Sequence, residues 1–168
     1  MTRRVNMSKT VEHLMAAFAG ESQANRKYLA YAKVADKEGK PEIAKLFRAA
    51  AEAETIHAHA HLRNAKKIGN TEANLQDAIA GETYEFTTMY PEMIKDMEAE
   101  GEKNIARFVG FVNAVEEVHA TLYKKAAAGK AENVDYYICP VCGYTHEGPM
   151  TEPCPICGAP AKMFYTVG

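Results

Sequence analysis

The amino-acid sequence predicts a mainly α chain: a bundle of four long helices followed by a small domain that carries every cysteine. Three observations predict it. The helical patterns of the first 130 residues run to about 30 residues each, against ~12 for an ordinary globular helix. The pattern of those helices is written twice along the chain. Beyond residue 130 the composition changes abruptly, and the remainder holds all four Cys and five of the seven Pro. Residues 1–130 therefore read as a helical domain and 131–168 as an appended one. Gly129-Lys130-Ala131-Glu132-Asn133 is the linker between them.

The first helix is expected over 8–37, with Ser8 as N-cap and Glu38-Gly39-Lys40-Pro41 as stop and restart. Val11, Leu14, Met15, Phe18, Tyr28 and Tyr31 recur along it at helical spacing. Pro41, at a first helical position, opens a second helix expected to end near Ile68, before Gly69-Asn70. A third is expected from Thr71 to Ala99, and after Gly101 a fourth to about Gly129. Long helices of similar length with short turns indicate a bundle rather than a globin-like packing.

The repeat carries the chemistry. Ala17-Phe18-Ala19-Gly20-Glu21-Ser22 returns as Ala78-Ile79-Ala80-Gly81-Glu82-Thr83, and Glu54-x-x-His57-Ala58 returns as Glu116-x-x-His119-Ala120. Each half thus supplies one Glu from its first helix and a Glu-x-x-His from its second. In Glu-x-x-His the side chains are i,i+3 neighbours on one helix face. Measured from the turns at Gly39 and Gly101, the two carboxylates of each hairpin fall within about 5 Å of the same height. Four carboxylates and two imidazoles converging in a bundle are the ligand set of a bridged pair of iron or manganese ions. A single Glu on a long helix is ordinarily a solvated residue, but surface residues have no reason to keep register across two halves.

The halves also differ. Glu85 stands one turn after Glu82, where the first half has Ala24. The repeat offset grows by one residue between Glu82 and Tyr90, the partner of Tyr28. One inserted residue predicts a single π-helical turn between those points. Charge gives Glu85 a purpose. Glu21, Glu54, Glu82 and Glu116 together balance two Fe²⁺ ions, and oxidation leaves positive charge that a fifth carboxylate would neutralise. His57 and Glu85 are therefore expected to exchange as ligands when the redox state changes.

In the tail, Cys139-Pro140-Val141-Cys142-Gly143 and Cys154-Pro155-Ile156-Cys157-Gly158 form two Cys-x-x-Cys-Gly knuckles. Four thiolates at this spacing make a tetrahedral site for iron or zinc, and spacing alone leaves the two open. A one-electron iron centre beside a diiron bundle makes functional sense and favours iron. The glycines allow positive φ, which turns backbone N–H groups toward the sulfurs.

Other classes of function are excluded or disfavoured. A net charge of −2 offers no basic face for nucleic acid. No apolar run reaches the ~20 residues of a membrane span. Met1-Thr2-Arg3-Arg4 is not a hydrophobic leader, so a cytoplasmic location is expected, with Met1 and Met7 both open as the start. His61 lies near the face of His57, whereas His59 points away from it.

With these motifs in view, the chain resembles the rubrerythrins over nearly its whole length. The resemblance rests on Ala17–Ala24, Glu54-Thr55-Ile56-His57, Gly81–Glu85, Met89-Tyr90-Pro91, Glu116-Glu117-Val118-His119 and the cysteine knuckles. It implies a ferritin-like four-helix bundle with a rubredoxin-like domain. It also implies Glu21, Glu54, Glu82, Glu85, Glu116 and His119 as diiron ligands, His57 as the exchangeable one, and Cys139, Cys142, Cys154 and Cys157 as ligands of a third iron. The activity implied is reduction of hydrogen peroxide to water, with electrons from rubredoxin or a reductase, drawn ultimately from a reduced nicotinamide. Tyr28 and Tyr90, near the level of Glu21 and Glu82, are expected either to hydrogen-bond a ligand or the peroxide, or simply to pack. A ferroxidase or iron-handling protein, and a non-catalytic protein with a zinc-ribbon tail, are the alternatives.

Ferritin-like bundles use a long crossover between their second and third helices. The few residues around Ile68 to Thr71 are too short for one, since returning along such a helix needs a dozen or so extended residues. Either the bundle is up-down-up-down, or hairpins are exchanged between two chains. The resemblance favours exchange, and hence a domain-swapped homodimer or larger assembly.

Overall fold

The computed structural model describes residues 8–167. Both candidate starts, Met1 and Met7, lie outside the described residues. The chain divides after Gly69 into two compact units.

The first unit is a helical hairpin of α1 (Lys9–Lys37) and α2 (Pro41–Asn64). Ser8 caps α1, its side chain accepting a hydrogen bond from the N–H of Val11, and Pro41 opens α2 as expected. The seam between the helices is lined by small residues. Ala44, Ala51 and Ala58 of α2 are buried at seven-residue spacing, and Asn25 and Ala32 of α1 share that spacing. A seven-residue repeat keeps one stripe facing a partner helix, and methyl-sized side chains let the backbones approach closely.

Asn25, 8% exposed, crosses that seam. Its Nδ2 donates to the carbonyl of Ala51 at 2.6 Å and to Thr55 Oγ1 at 2.8 Å. It lies one turn from Glu21, and Thr55 adjoins Glu54, so this bridge sets the relative height of the two carboxylates. Asn25→Ala is expected to lower unfolding free energy by about 1–3 kcal/mol, the cost of unmaking buried hydrogen bonds, measured by urea denaturation of the metal-free protein.

The second unit holds α3 (Thr71–Tyr84), a π-helical turn (Glu85–Met89), α4 (Tyr90–Ala99), α5 (Lys103–Ala127) and the tail. From α3 to α4 the helix is continuous, and the π turn falls where the change in repeat offset predicts it. Its signature is the Tyr90 N–H bonding the Glu85 carbonyl, five residues back. Ala106 and Ala120 of α5 are buried, at the repeat positions of Ala44 and Ala58.

The helices α1, α2, α4 and α5 end alike. In three of them a glycine at positive φ closes the last turn: Gly39 at 69°, Gly101 at 83° and Gly129 at 69°. The fourth ending departs from expectation, because α2 stops at Asn64 rather than near Ile68. Lys66 takes the left-handed conformation, φ 55°, and the Lys67 N–H reaches back to the Leu62 carbonyl at 3.0 Å. That is the same cap built without glycine, and the connection to α3 is accordingly residues 65–70.

The tail is a three-stranded antiparallel sheet in the order β2-β1-β3, with β1 Tyr136–Ile138, β2 Thr145–Glu147 and β3 Tyr165–Val167. It packs on α5: Val115 and Phe111 join Cys139, Cys142, Cys154, Tyr144 and Phe164 in one apolar cluster. Lys125 of α5 adds an ionic clasp, 2.8 Å from Glu132 in the linker and 2.7 Å from Glu147 in β2. Among the described residues no helix is long and apolar enough to cross a membrane.

Candidate metal centres

Among the described residues, three clusters bring metal-ligating atoms within 4.8 Å of one another: Glu21, Glu54 and His57; Glu82, Glu116 and His119; and the four cysteines.

In the first hairpin, His57 Nδ1 lies 3.1 Å from Glu54 Oε2 and 3.9 Å from Glu21 Oε1. Glu21 is raised above the usual carboxylate range, chiefly by a hydrogen bond shared with Glu54 and then by burial, whereas that bond and His57 lower Glu54. The two carboxylates thus lie close enough to influence one another, as two ligands of one cation would. The His57 side chain is 55% exposed, so this triple is open on one side. His61 joins it, with Nε2 4.0 Å from Glu21 Oε1; its position one turn beyond His57 is the signal for that approach.

In the second hairpin, His119 Nδ1 lies 2.8 Å from Glu116 Oε2 and 3.7 Å from Glu82 Oε2. Glu82 is raised, first by burial and next by Glu116 beside it. Its Oε2 is buried and has no hydrogen-bond partner. A buried carboxylate oxygen without a hydrogen bond is costly, and a cation among Glu82, Glu116 and His119 would satisfy it, so the donors present fit a metal. Glu85 opens the π turn, and burial followed by the Glu82 charge raises it.

The two tyrosines have different surroundings. Tyr90 is raised by burial and then by the charges of Glu116, Glu85 and Glu82, which places its phenol among those carboxylates. The Tyr28 ring lies 6.3 Å from Tyr31 and 6.1 Å from Phe47, within an aromatic cluster.

In the tail, Cys139 Sγ is 3.6 Å from Cys157 Sγ, and Cys142 Sγ is 3.6 Å from Cys154 Sγ. All four cysteines are free thiols. Burial acts to raise Cys139, but donation from the Cys142 and Val141 N–H groups, with the neighbouring thiols, brings it below the usual range. Burial raises Cys142 and Cys157, although the N–H groups of Tyr144 and Ala159 point at their sulfurs. Gly143 and Gly158 turn at φ 84° and 77°, which aims those donors inward. Four crowded thiols with N–H donors directed at the sulfurs fit a tetrahedral metal.

Comparison with known proteins accords with these clusters. A family model described as Rubrerythrin matches residues 12–127, and one described as the rubredoxin-like domain of rubrerythrin matches 137–165. The chain is 35% identical to Rubrerythrin-2 of Clostridium acetobutylicum, over 95% of this chain and 97% of that protein. It is 34% identical to nigerythrin of Nitratidesulfovibrio vulgaris, over 94% of this chain and 86% of that one. Among solved structures, fully reduced, all-ferrous nigerythrin matches with a TM-score of 0.57 and 32% identity, covering 98% of this chain and 89% of that one.

Proposed function

Because the chain belongs to the rubrerythrin family, a family of diiron proteins of oxidative-stress defence, we propose that it is a non-haem peroxidase reducing hydrogen peroxide to water. The observation that carries this reading is the presence, in one chain, of two Glu-Glu-His triples and a four-thiol site. Nigerythrin has been solved in partially reduced and all-ferrous states, which supports iron that changes oxidation state. Glu21, Glu54, His57, Glu82, Glu85, Glu116 and His119 would hold two irons, and Cys139, Cys142, Cys154 and Cys157 one more. We take 1–130 and 131–168 as the domains that carry them.

Held by these residues, two ferrous ions would supply the two electrons for O–O cleavage, and an iron held by the four thiolates would supply single electrons to replace them. The remaining work belongs to the side chains. Reduction of peroxide to two waters also consumes two protons. Tyr90 keeps its proton, because burial and three carboxylates oppose ionisation, and so offers an O–H donor. Glu85, raised in the same way, holds or releases a proton beside Glu82. An open cleft of about 430 Å³, lined by Glu82, His119, Leu75, Leu122, Tyr136 and Thr145, gives a small polar substrate access to this cluster. Tyr28, engaged with Tyr31 and Phe47, contributes packing within the first hairpin.

Hairpin exchange between two chains belongs to the same reading. Six connecting residues span at most ~20 Å, against ~36 Å along α2. The first hairpin also exposes Leu46 (69%), Ile56 (60%) and Val34 (53%), apolar side chains that a partner would cover. Iron-loaded protein is expected to sediment as a dimer or larger at all concentrations where it stays folded; a loaded monomer would refute exchange.

The decisive test is anaerobic mixing of fully reduced protein with excess peroxide, each peroxide removing two electrons. Both iron centres should oxidise with no added reductant, and without hydroxyl-radical products. Unreacted ferrous protein overturns the peroxidase reading. Colourless protein with zinc in its tail would instead favour a metal-binding role. The external donor is expected to be a rubredoxin or a reductase, and the location cytoplasmic.

A further inference from the structure

His119 and His57 are repeat-related, yet only one is held at both ring nitrogens. The Nδ1 of His119 faces Glu116, and its Nε2 lies 3.0 Å from Thr145 Oγ1, across 26 residues of sequence, in strand β2 of the tail. Thr145 Oγ1 also lies 3.3 Å from the Gly143 carbonyl, a second acceptor within its reach, and Gly143 directly follows Cys142. Within its hairpin, His57 contacts Glu54 and Glu21 through Nδ1, and more than half of its side chain is exposed.

We propose that Thr145 is a positioning residue for the metal centre: its hydroxyl fixes the ring orientation and tautomer of His119 and ties the cysteine domain to that ligand. The inference rests on His119 being a ligand through Nδ1. The chemistry follows from what each atom can donate. Without metal, Nδ1 carries the hydrogen directed at the Glu116 carboxylate, so a neutral ring accepts at Nε2 and Thr145 donates. A cation needs the lone pair of Nδ1, which moves the ring proton to Nε2. Thr145 must then accept, and its own hydrogen turns to the Gly143 carbonyl. A hydroxyl can serve in both directions; neither an amine nor a methyl can. Partners of this kind on a ligating imidazole change metal affinity by 10–100-fold.

The rest of the tail is built to hold that hydroxyl in place. Val115, one turn before His119, is 2% exposed and packs beneath Cys139 and Cys142. Two residues past Thr145, Glu147 is gripped by Lys125 of α5. Thr145 thus sits between an apolar anchor and an ionic one, both on the helix that carries His119. The arrangement also assigns contrasting roles to the two imidazoles, one clamped and one free to leave.

The test uses the full chain. Thr145→Val keeps the shape of the side chain and removes the hydroxyl; Thr145→Ser keeps the hydroxyl. Titration of metal-free protein with Co²⁺ should show the helical site weakened 10–100-fold in T145V, with T145S restoring most of the affinity. Equal affinity in wild type and T145V overturns the proposal. Wild-type protein loaded with Zn²⁺ provides a check that needs no variant to fold. Its proton spectrum should show a slowly exchanging His119 Nε2–H close to the Thr145 methyl. A freely exchanging Nε2–H, or coordination through Nε2, equally overturns it. Neither readout involves peroxide, so a protein inactive toward peroxide would still show both.

Discussion

Glu82→Gln is expected to move two properties in opposite directions, strengthening the metal-free protein at neutral pH while weakening metal binding at least about a hundredfold. The cause is the environment of one oxygen. Glu82 Oε2 is buried without a hydrogen-bond partner, and burial raises the carboxyl. A group raised on folding stabilises the folded state in full below the ordinary carboxylate range. That contribution is lost as pH climbs through the raised value. The wild-type apo protein should therefore lose stability as pH rises through this window, and E82Q should not. Metal affinity should rise over the same window in wild type, because the cation replaces the proton. Calorimetry of apo protein across the acid range, paired with Co²⁺ titration, separates the two effects. An apo E82Q no more stable than wild type would show that the buried oxygen carries no strain.

Deleting Thr88, within the π turn, is the second large change. The turn exists because the second half of the repeat holds one residue more than the first. Removing it should restore regular i→i−4 bonding from α3 into α4, with Glu82 and Tyr90 taking the register that the first hairpin shows for Glu21 and Tyr28. Only the placement of Glu85 depends on the widened turn. The shortened protein should fold with unchanged helix content and bind two divalent cations per site. Its oxidised state, deprived of the fifth carboxylate, should become easier to reduce, and turnover with peroxide should fall by about 10–100-fold. Circular dichroism, metal stoichiometry and redox titration together check this. An unaltered potential would remove Glu85 from the redox role.

Much of the site was legible because it is written as spacing. Glu-x-x-His places two donors on one face whatever surrounds it, and the four cysteines carry their geometry in eleven intervening residues. Even the π turn was legible, since the repeat supplies an internal ruler against which one extra residue shows. The features that escaped are those without a local signature. Lys66 ends α2 in a conformation normally left to glycine, so composition gave no stop. Asn25 finds its partners 26 and 30 residues away, and nothing near it in sequence distinguishes it from a surface amide. The alanine seam reads as mere helix propensity until two helices are seen to share it. Thr145 is an ordinary strand residue until the tail is docked on α5.

The openness of the first triple has a consequence for how the protein matures. A newly made chain already displays, on each hairpin, a three-point grip for a divalent cation, and one of them is uncovered at His57. Under the hairpin exchange proposed above, cation capture precedes subunit pairing, and a cation that binds the paired form more tightly drives pairing by mass action. Iron supply would then be a thermodynamic input to quaternary structure. On that proposal, chelation should lower the assembled fraction at a given chain concentration, making the population of paired chains a gauge of the metal available to them.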